Sequence, residues 1–168
     1  MAAETHDRGD DGAEDSLAEK RVQVGFYHLT RTSLDEALPA LLGKTLDARE
    51  RAVVRCSDDA MVAHLDKVLW ACRSPIWLPH GCAATGKAER QPIWLTAESD
   101  VPNQAQFLFR INGAGDDVMT SFVRVFDLFD GRDEHMVEQA RVRWRAMKKA
   151  GCLMTYWKQE ARGWRRAG

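Results

Sequence analysis

Arg141, Trp144 and Arg145 stand at i, i+3 and i+4, a spacing that puts all three on one face of a helix. Two guanidiniums flanking one indole suit an anion attached to a hydrophobic group. Arginine offers a two-pronged fork for a carboxylate, and tryptophan lays apolar area beside it. Single-stranded nucleic acid could use the same features by stacking a base on the indole. Lys148 and Lys149 add charge one turn on, near the helix C-terminus, where the helix dipole favours cations in any case. From spacing alone, a solvated basic face with its tryptophan tucked into the core fits slightly better than a binding site.

Other chemistry is harder to find. Gly81-Cys-Ala-Ala-Thr-Gly86-Lys87-Ala88 nearly spells the phosphate loop G-x-x-x-x-G-K-[ST], but Ala88 stands where a hydroxyl must hold magnesium. Pro92 would end any following helix almost at once, so a plain loop between two strands is expected. His28, His64, His80 and His135 are scattered, with none of the paired spacings that bind zinc. The chain contains no G-x-S-x-G elbow for a serine nucleophile. Asp58-Asp59 and Asp116-Asp117 sit where helix caps or turns would want them. These patterns yield no catalytic residue, no metal site and no cofactor.

The elements that must position the basic face can be read from periodicity. Val22 to Leu29 is a buried strand pattern, and Ser33-Leu-Asp-Glu36 has the form of a capping box opening a helix. Pro39 should bend or weaken that helix. Ala52 to Cys56 is a short strand. Asp58 to Arg73 follows as the cleanest amphipathic helix, with Met61, Val62, Leu65, Val68, Leu69 and Cys72 on one side. Ile76-Trp77-Leu78, Pro92 to Thr96, Phe107 to Ile111 and Phe122 to Phe129 are further short strand candidates. A polar helix over about Asp133 to Ala150 carries the basic face and ends at Gly151, and Leu153 to Trp157 closes the domain. This order predicts an α/β fold, a three-layer α/β/α Rossmann-like domain with a mixed, mostly parallel sheet.

With 168 residues the chain is one domain's worth, and its 45% hydrophobic and 29% charged residues are ordinary for a globular protein. A formal net charge of -1 gives no global pull onto phosphates or anionic membranes. Residues 1–20 hold seven acidic side chains, Glu4, Asp7, Asp10, Asp11, Glu14, Asp15 and Glu19, and are expected to form a disordered acidic tail. The domain is expected over 21–158, and a basic tail over 159–168. No apolar run approaches the length of a membrane span and no signal peptide is expected. Cys56, Cys72, Cys82 and Cys152 are far apart, which fits a reducing cytoplasm.

An ordered set of landmarks resembles the chi subunit family of bacterial DNA polymerase III across residues 22–158. They are Phe26-Tyr27-His28-Leu29, Val53 to Ser57, Leu65-Asp66, Leu69-Trp70 and Trp77-Leu78-Pro79-His80. Pro92-Ile93, Val125-Phe126-Asp127, Ala140-Arg141, Trp144-Arg145, Ala150-Gly151 and Trp157-Lys158 complete the set. The resemblance implies a Rossmann-like accessory subunit without polymerase activity of its own. It implies binding to the acidic C-terminal tail of single-stranded DNA-binding protein, which ends in Pro-Phe. It further implies a link to the clamp-loader complex, through a psi subunit where one exists, so that DNA is met indirectly. Carried over by position, the tail-binding residues are Arg141, Trp144, Arg145, Trp77 and Phe129, with Lys148 drawing in the tail's aspartates.

Two other classes compete. A direct single-stranded nucleic-acid binder would use the basic helix over 133–150, against the near-neutral charge. A nucleotide-binding enzyme of Rossmann type would need glycines in the first β-α turn, which Thr30-Arg-Thr-Ser33 lacks.

Overall fold

The computed structural model describes residues 21–75, 77–117 and 119–168. The acidic segment 1–20 lies outside the described residues. In chain order the elements are β1 (Gln23–Leu29), α1 (Leu34–Asp47), β2 (Ala52–Arg55), α2 (Asp59–Ala71), β3 (Gly81–Cys82) and β4 (Ile93–Thr96). They continue with β5 (Phe107–Ile111), β6 (Arg124–Asp130), α3 (Glu134–Lys149), β7 (Leu153–Glu160) and β8 (Gly163–Arg166). The strands form one sheet in the order β3-β4-β2-β5-β6-β1-β7-β8. Every neighbouring pair is parallel except β7 with β8. The predicted three-layer α/β fold with a mostly parallel sheet is what forms.

Strand alternation sends side chains to two separate cores. Tyr27, Val54, Phe109, Phe126 and Leu128 pack against Leu38, Leu41 and Leu42 of α1 and Leu65 and Leu69 of α2. Val24, Phe26, Val53, Leu108, Val125 and Phe129 face the other way, toward Ala140 and Met147 of α3. The inward positions of α3, Val137, Ala140, Trp144 and Met147, recur at helical spacing and leave the rest of that helix polar.

Local expectations met different fates. Asp58 caps α2 by accepting from the Met61 amide, as its position suggested. Ser33 makes no side-chain cap, so the capping box is not formed. The turn before α1 is organised instead by Gln159 of β7, whose Oε1 accepts from the amides of Thr30, Arg31 and Thr32 at 3.0, 2.9 and 3.1 Å. Pro39 lies within an uninterrupted α1 with its ring buried. Only one helical bond is forfeited there, near the start of the helix, and burial of the ring offsets it. Trp77 and Leu78 are loop rather than strand, because Pro75 and Pro79 beside them have no amide to give a ladder. Asp117 was expected in a turn or cap. It lies in the loop after β5 but pairs with a buried arginine. The basic segment 159–168 ends β7 and supplies β8, with Gln159 opposite Trp164 and Trp157 opposite Arg166.

Two arginines, Arg55 buried and Arg143 partly so, fill the C-terminal end of the sheet, where open α/β sheets usually take their ligands. Arg55 is 1% exposed and meets Asp117 through both Nε and Nη2, at 2.9 and 2.6 Å. Its remaining nitrogen donates to the carbonyls of Glu98 and Asp100. Asp127 in β6 has no solvent exposure, and both its oxygens accept from Arg143 of α3 at 2.8 Å. A pair of this kind adds little net stability over an apolar pair, but breaking it strands a charge. Replacing Arg143 by Ala is therefore expected to lower the unfolding free energy by about 3–5 kcal/mol in urea titrations. The double replacement Arg143→Ala with Asp127→Asn should recover part of that loss.

Candidate functional site

Beneath α3, three adjacent strands supply a floor in register. Phe26 of β1 lies opposite Tyr156 of β7, and His28 of β1 lies opposite Phe129 of β6. Val137, Ala140, Arg141, Trp144 and Arg145 of α3 form the remaining wall. Together these side chains enclose a cavity of about 290 Å³. Its aromatic rings meet mostly edge to face, an arrangement that holds each ring in place. Trp144 stands 5.3 Å from Phe26 and 6.0 Å from Tyr156, centroid to centroid, with interplanar angles of 79° and 85°. His28 stacks on Phe129 at 5.0 Å.

The helix itself is well anchored. Asp133 accepts from the amides of His135 and Met136 at one end, and Gly151 takes a left-handed conformation at the other. Arg143 ties the inner side of the helix to Asp127. With that side fixed, Trp144 is half-buried in the cavity while Arg141 and Arg145 stand exposed at its rim. Arg141 touches Glu138 at 3.2 Å, but both groups are more than half exposed. Such a surface pair is worth little, so an arriving carboxylate can displace it. No Asp or Glu lines the cavity.

His28 and Tyr156 are joined across the floor by a hydrogen bond of 2.5 Å between Tyr156 Oη and His28 Nδ1. Burial pushes the His28 ring below its ordinary pKa of 6.5, and the charges of Lys158 and Arg141 push the same way. The Gly131 backbone and Asp130 act in the opposite sense and do not prevail. Burial also raises the Tyr156 phenol, against the pull of Arg141. Both groups are thus neutral at pH 7. The other ring nitrogen, Nε2, is buried without a hydrogen-bond partner, with Gly131 over it; a Cβ at 131 would stand 2.1 Å from that atom.

Four of the residues expected from sequence converge here: Arg141, Trp144, Arg145 and Phe129. Lys148 lies one turn beyond, exposed and outside the lining. Trp77 does not line this cavity. It lies in the loop between α2 and β3, 69% exposed, and β3 is the far edge strand from β7 and β8. The walls that sequence reasoning missed are Phe26, His28, Val137, Ala140 and Tyr156. Alternation within β1 and β7 could have put Phe26, His28 and Tyr156 on one face, but nothing local says that β7 pairs with β1. Among the described residues no group of three metal-ligating side chains is found, and no helix is long and apolar enough to cross a membrane. All four cysteines are free, and burial pushes the Cys56 thiol up to about 12, which makes it unreactive.

The parallel sheet, the three helices and the cavity under α3 define a Rossmann-like α/β domain with an aromatic, arginine-rimmed pocket. The chain belongs to the DNA polymerase III chi subunit (HolC) family, whose family model matches residues 22–155. It is 28% identical over 90 residues to the probable DNA polymerase III subunit chi of Rickettsia prowazekii (strain Madrid E), covering 54% of each chain. It is 27% identical over 105 residues to DNA polymerase III subunit chi of Escherichia coli (strain K12), covering 61% of this chain and 69% of that one. The match thus spans about half the length of the Rickettsia relative.

The depressed His28 pKa carries a sign for stability. A ring that resists protonation when folded binds its proton more readily unfolded, so stability is complete above about pH 6.5 and is lost as pH falls below it. Urea midpoints are expected to drop between about pH 7.5 and pH 5, and His28→Gln should flatten that drop.

Proposed function

We propose that the cavity under α3 binds the acidic C-terminal tail of single-stranded DNA-binding protein. The terminal phenyl ring enters between Phe26, Phe129, Trp144 and Tyr156, and the terminal carboxylate pairs with Arg141. Arg145 and, further out, Lys148 attract the aspartates that precede it. One observation carries this reading: an apolar aromatic cavity whose charged lining residues at its rim are arginines, with no carboxylate in its lining. The ligand it fits has an apolar end that is also an anion, which is what a C-terminal phenylalanine is.

On this reading the protein works as an adaptor with no catalysis of its own. It links single-stranded DNA-binding protein to the clamp-loader complex, through a psi subunit where one exists, so that this site meets DNA indirectly. Binding through a short acidic tail at an exposed rim should be salt-sensitive and modest in affinity.

Calorimetry with an Asp-rich peptide ending in Pro-Phe tests the site. Micromolar-range binding is expected, weakened about tenfold or more by Arg141→Ala and abolished when the peptide lacks its phenylalanine. Trp77→Ala should leave the affinity within about twofold of the original. A folded protein that ignores the peptide at low salt would remove the proposal.

A further inference from the structure

The opposite face of the sheet carries a second surface, to which Trp157, Trp164 and Arg166 contribute from beyond the family match. Two adjoining grooves of about 250 and 420 Å³ share Arg124 and Trp157. The inner one runs between α1 and the strands and contains Tyr27, Phe126, Trp164 and Lys44. The outer one is lined entirely by strand residues, among them Gln23, Gly25, Thr155 and Arg166. Gly25 leaves the middle of this surface flat, since a Cβ there would meet Tyr27 Cε2 at 2.9 Å and Thr155 Oγ1 at 3.3 Å.

Its chemistry differs from that of the cavity under α3. Trp157 stacks on Tyr27 at 6.1 Å and 13°, and Trp164 meets Tyr27 edge-on at 5.2 Å. Both indoles are only half-buried, so each keeps area for a further flat ring. The cations are Arg124, whose guanidinium lies 4.7 Å over Phe126, and the exposed Lys44 and Arg166. None of the three is in an ion pair among the described residues, whereas Arg165 on the reverse side of β8 pairs with Glu160. Neither groove has a carboxylate in its lining.

Arg124 and Arg166 belong to β6 and β8, three strand spacings apart, or roughly 14 Å. Cations spread so widely over a flat aromatic surface match a row of phosphates rather than one terminal carboxylate. We propose that this face binds single-stranded nucleic acid, with bases stacking on Trp157 and Trp164 and phosphates meeting Lys44, Arg124 and Arg166. A sheet face with aromatic platforms and a basic rim is a general solution for single strands, because every base has a π-face. The inference is independent of peptide binding under α3: it uses other residues on the other side of the sheet.

The test is fluorescence anisotropy of a labelled oligothymidylate of about 15 nucleotides with the full-length protein, at several salt concentrations. Binding at low salt is expected, with a log-log salt slope of about −2 for three phosphate contacts. The double variant Lys44→Glu with Arg166→Glu should weaken it about tenfold or more and flatten the slope. Trp164→Ala should weaken it without altering the slope, and Arg141→Ala should leave it unchanged. The charge variants bear only exposed substitutions, so they keep the test decisive if Trp164→Ala unfolds the hairpin. No binding at low salt overturns the proposal. So does binding lost only in Arg141→Ala, which would assign nucleic acid to α3. A sedimentation shift on charge reversal without oligonucleotide binding overturns it too, in favour of a second copy docking on this face.

Discussion

A carboxylate with no access to water cannot stand alone in the middle of a sheet, and Asp127 is such a group. Its two hydrogen bonds to Arg143 set which side of α3 faces the sheet. Everything at the cavity follows from that rotation. Ala140 and Met147 go into the core, Trp144 hangs over Phe26, and Arg141 and Arg145 are left at the rim. Asp127 sits in β6, whose register with β1 also brings Phe129 opposite His28. One ion pair therefore couples the strand floor to the helical wall.

The floor depends on a second constraint, the central place of β1. It pairs in parallel with β6 on one side and β7 on the other. Three strands distant in sequence thereby deliver side chains to one spot, and their alternation gives the opposite face an equally defined set, Tyr27, Phe126 and Trp157. The two faces take different chemistry from the same strands. Under α3 the charge is concentrated at one rim, whereas on the far face it is spread.

Much of this was legible in the residues. Strand and helix periodicity predicted the three-layer class, and the i, i+3, i+4 spacing of Arg141, Trp144 and Arg145 announced a shared face that does form. What escaped was long-range. The Asp127–Arg143 pair was not foreseen, because pairing across layers leaves no periodic trace. Asp117 looked like a turn residue, although its loop brings it to Arg55. Tyr156 was missed because the partner of its strand is not written near it in the sequence. Trp77 was carried over by likeness alone, and its loop leads to the opposite edge of the sheet. The segment after Lys158 looked like an appendage because it lies beyond the shared pattern, yet it adds an edge strand that covers Tyr27.

The Gln159 contact at the first β-α turn has a further consequence. Three successive amides pointing at one oxygen are the geometry that elsewhere receives a phosphate. Here the occupant is covalently tethered, held on β7 at an effective concentration in the millimolar range or above. A free nucleotide would have to displace an amide that never diffuses away. The domain thus has the outline of a nucleotide-binding fold, with the amides of its first β-α turn already occupied by its own side chain.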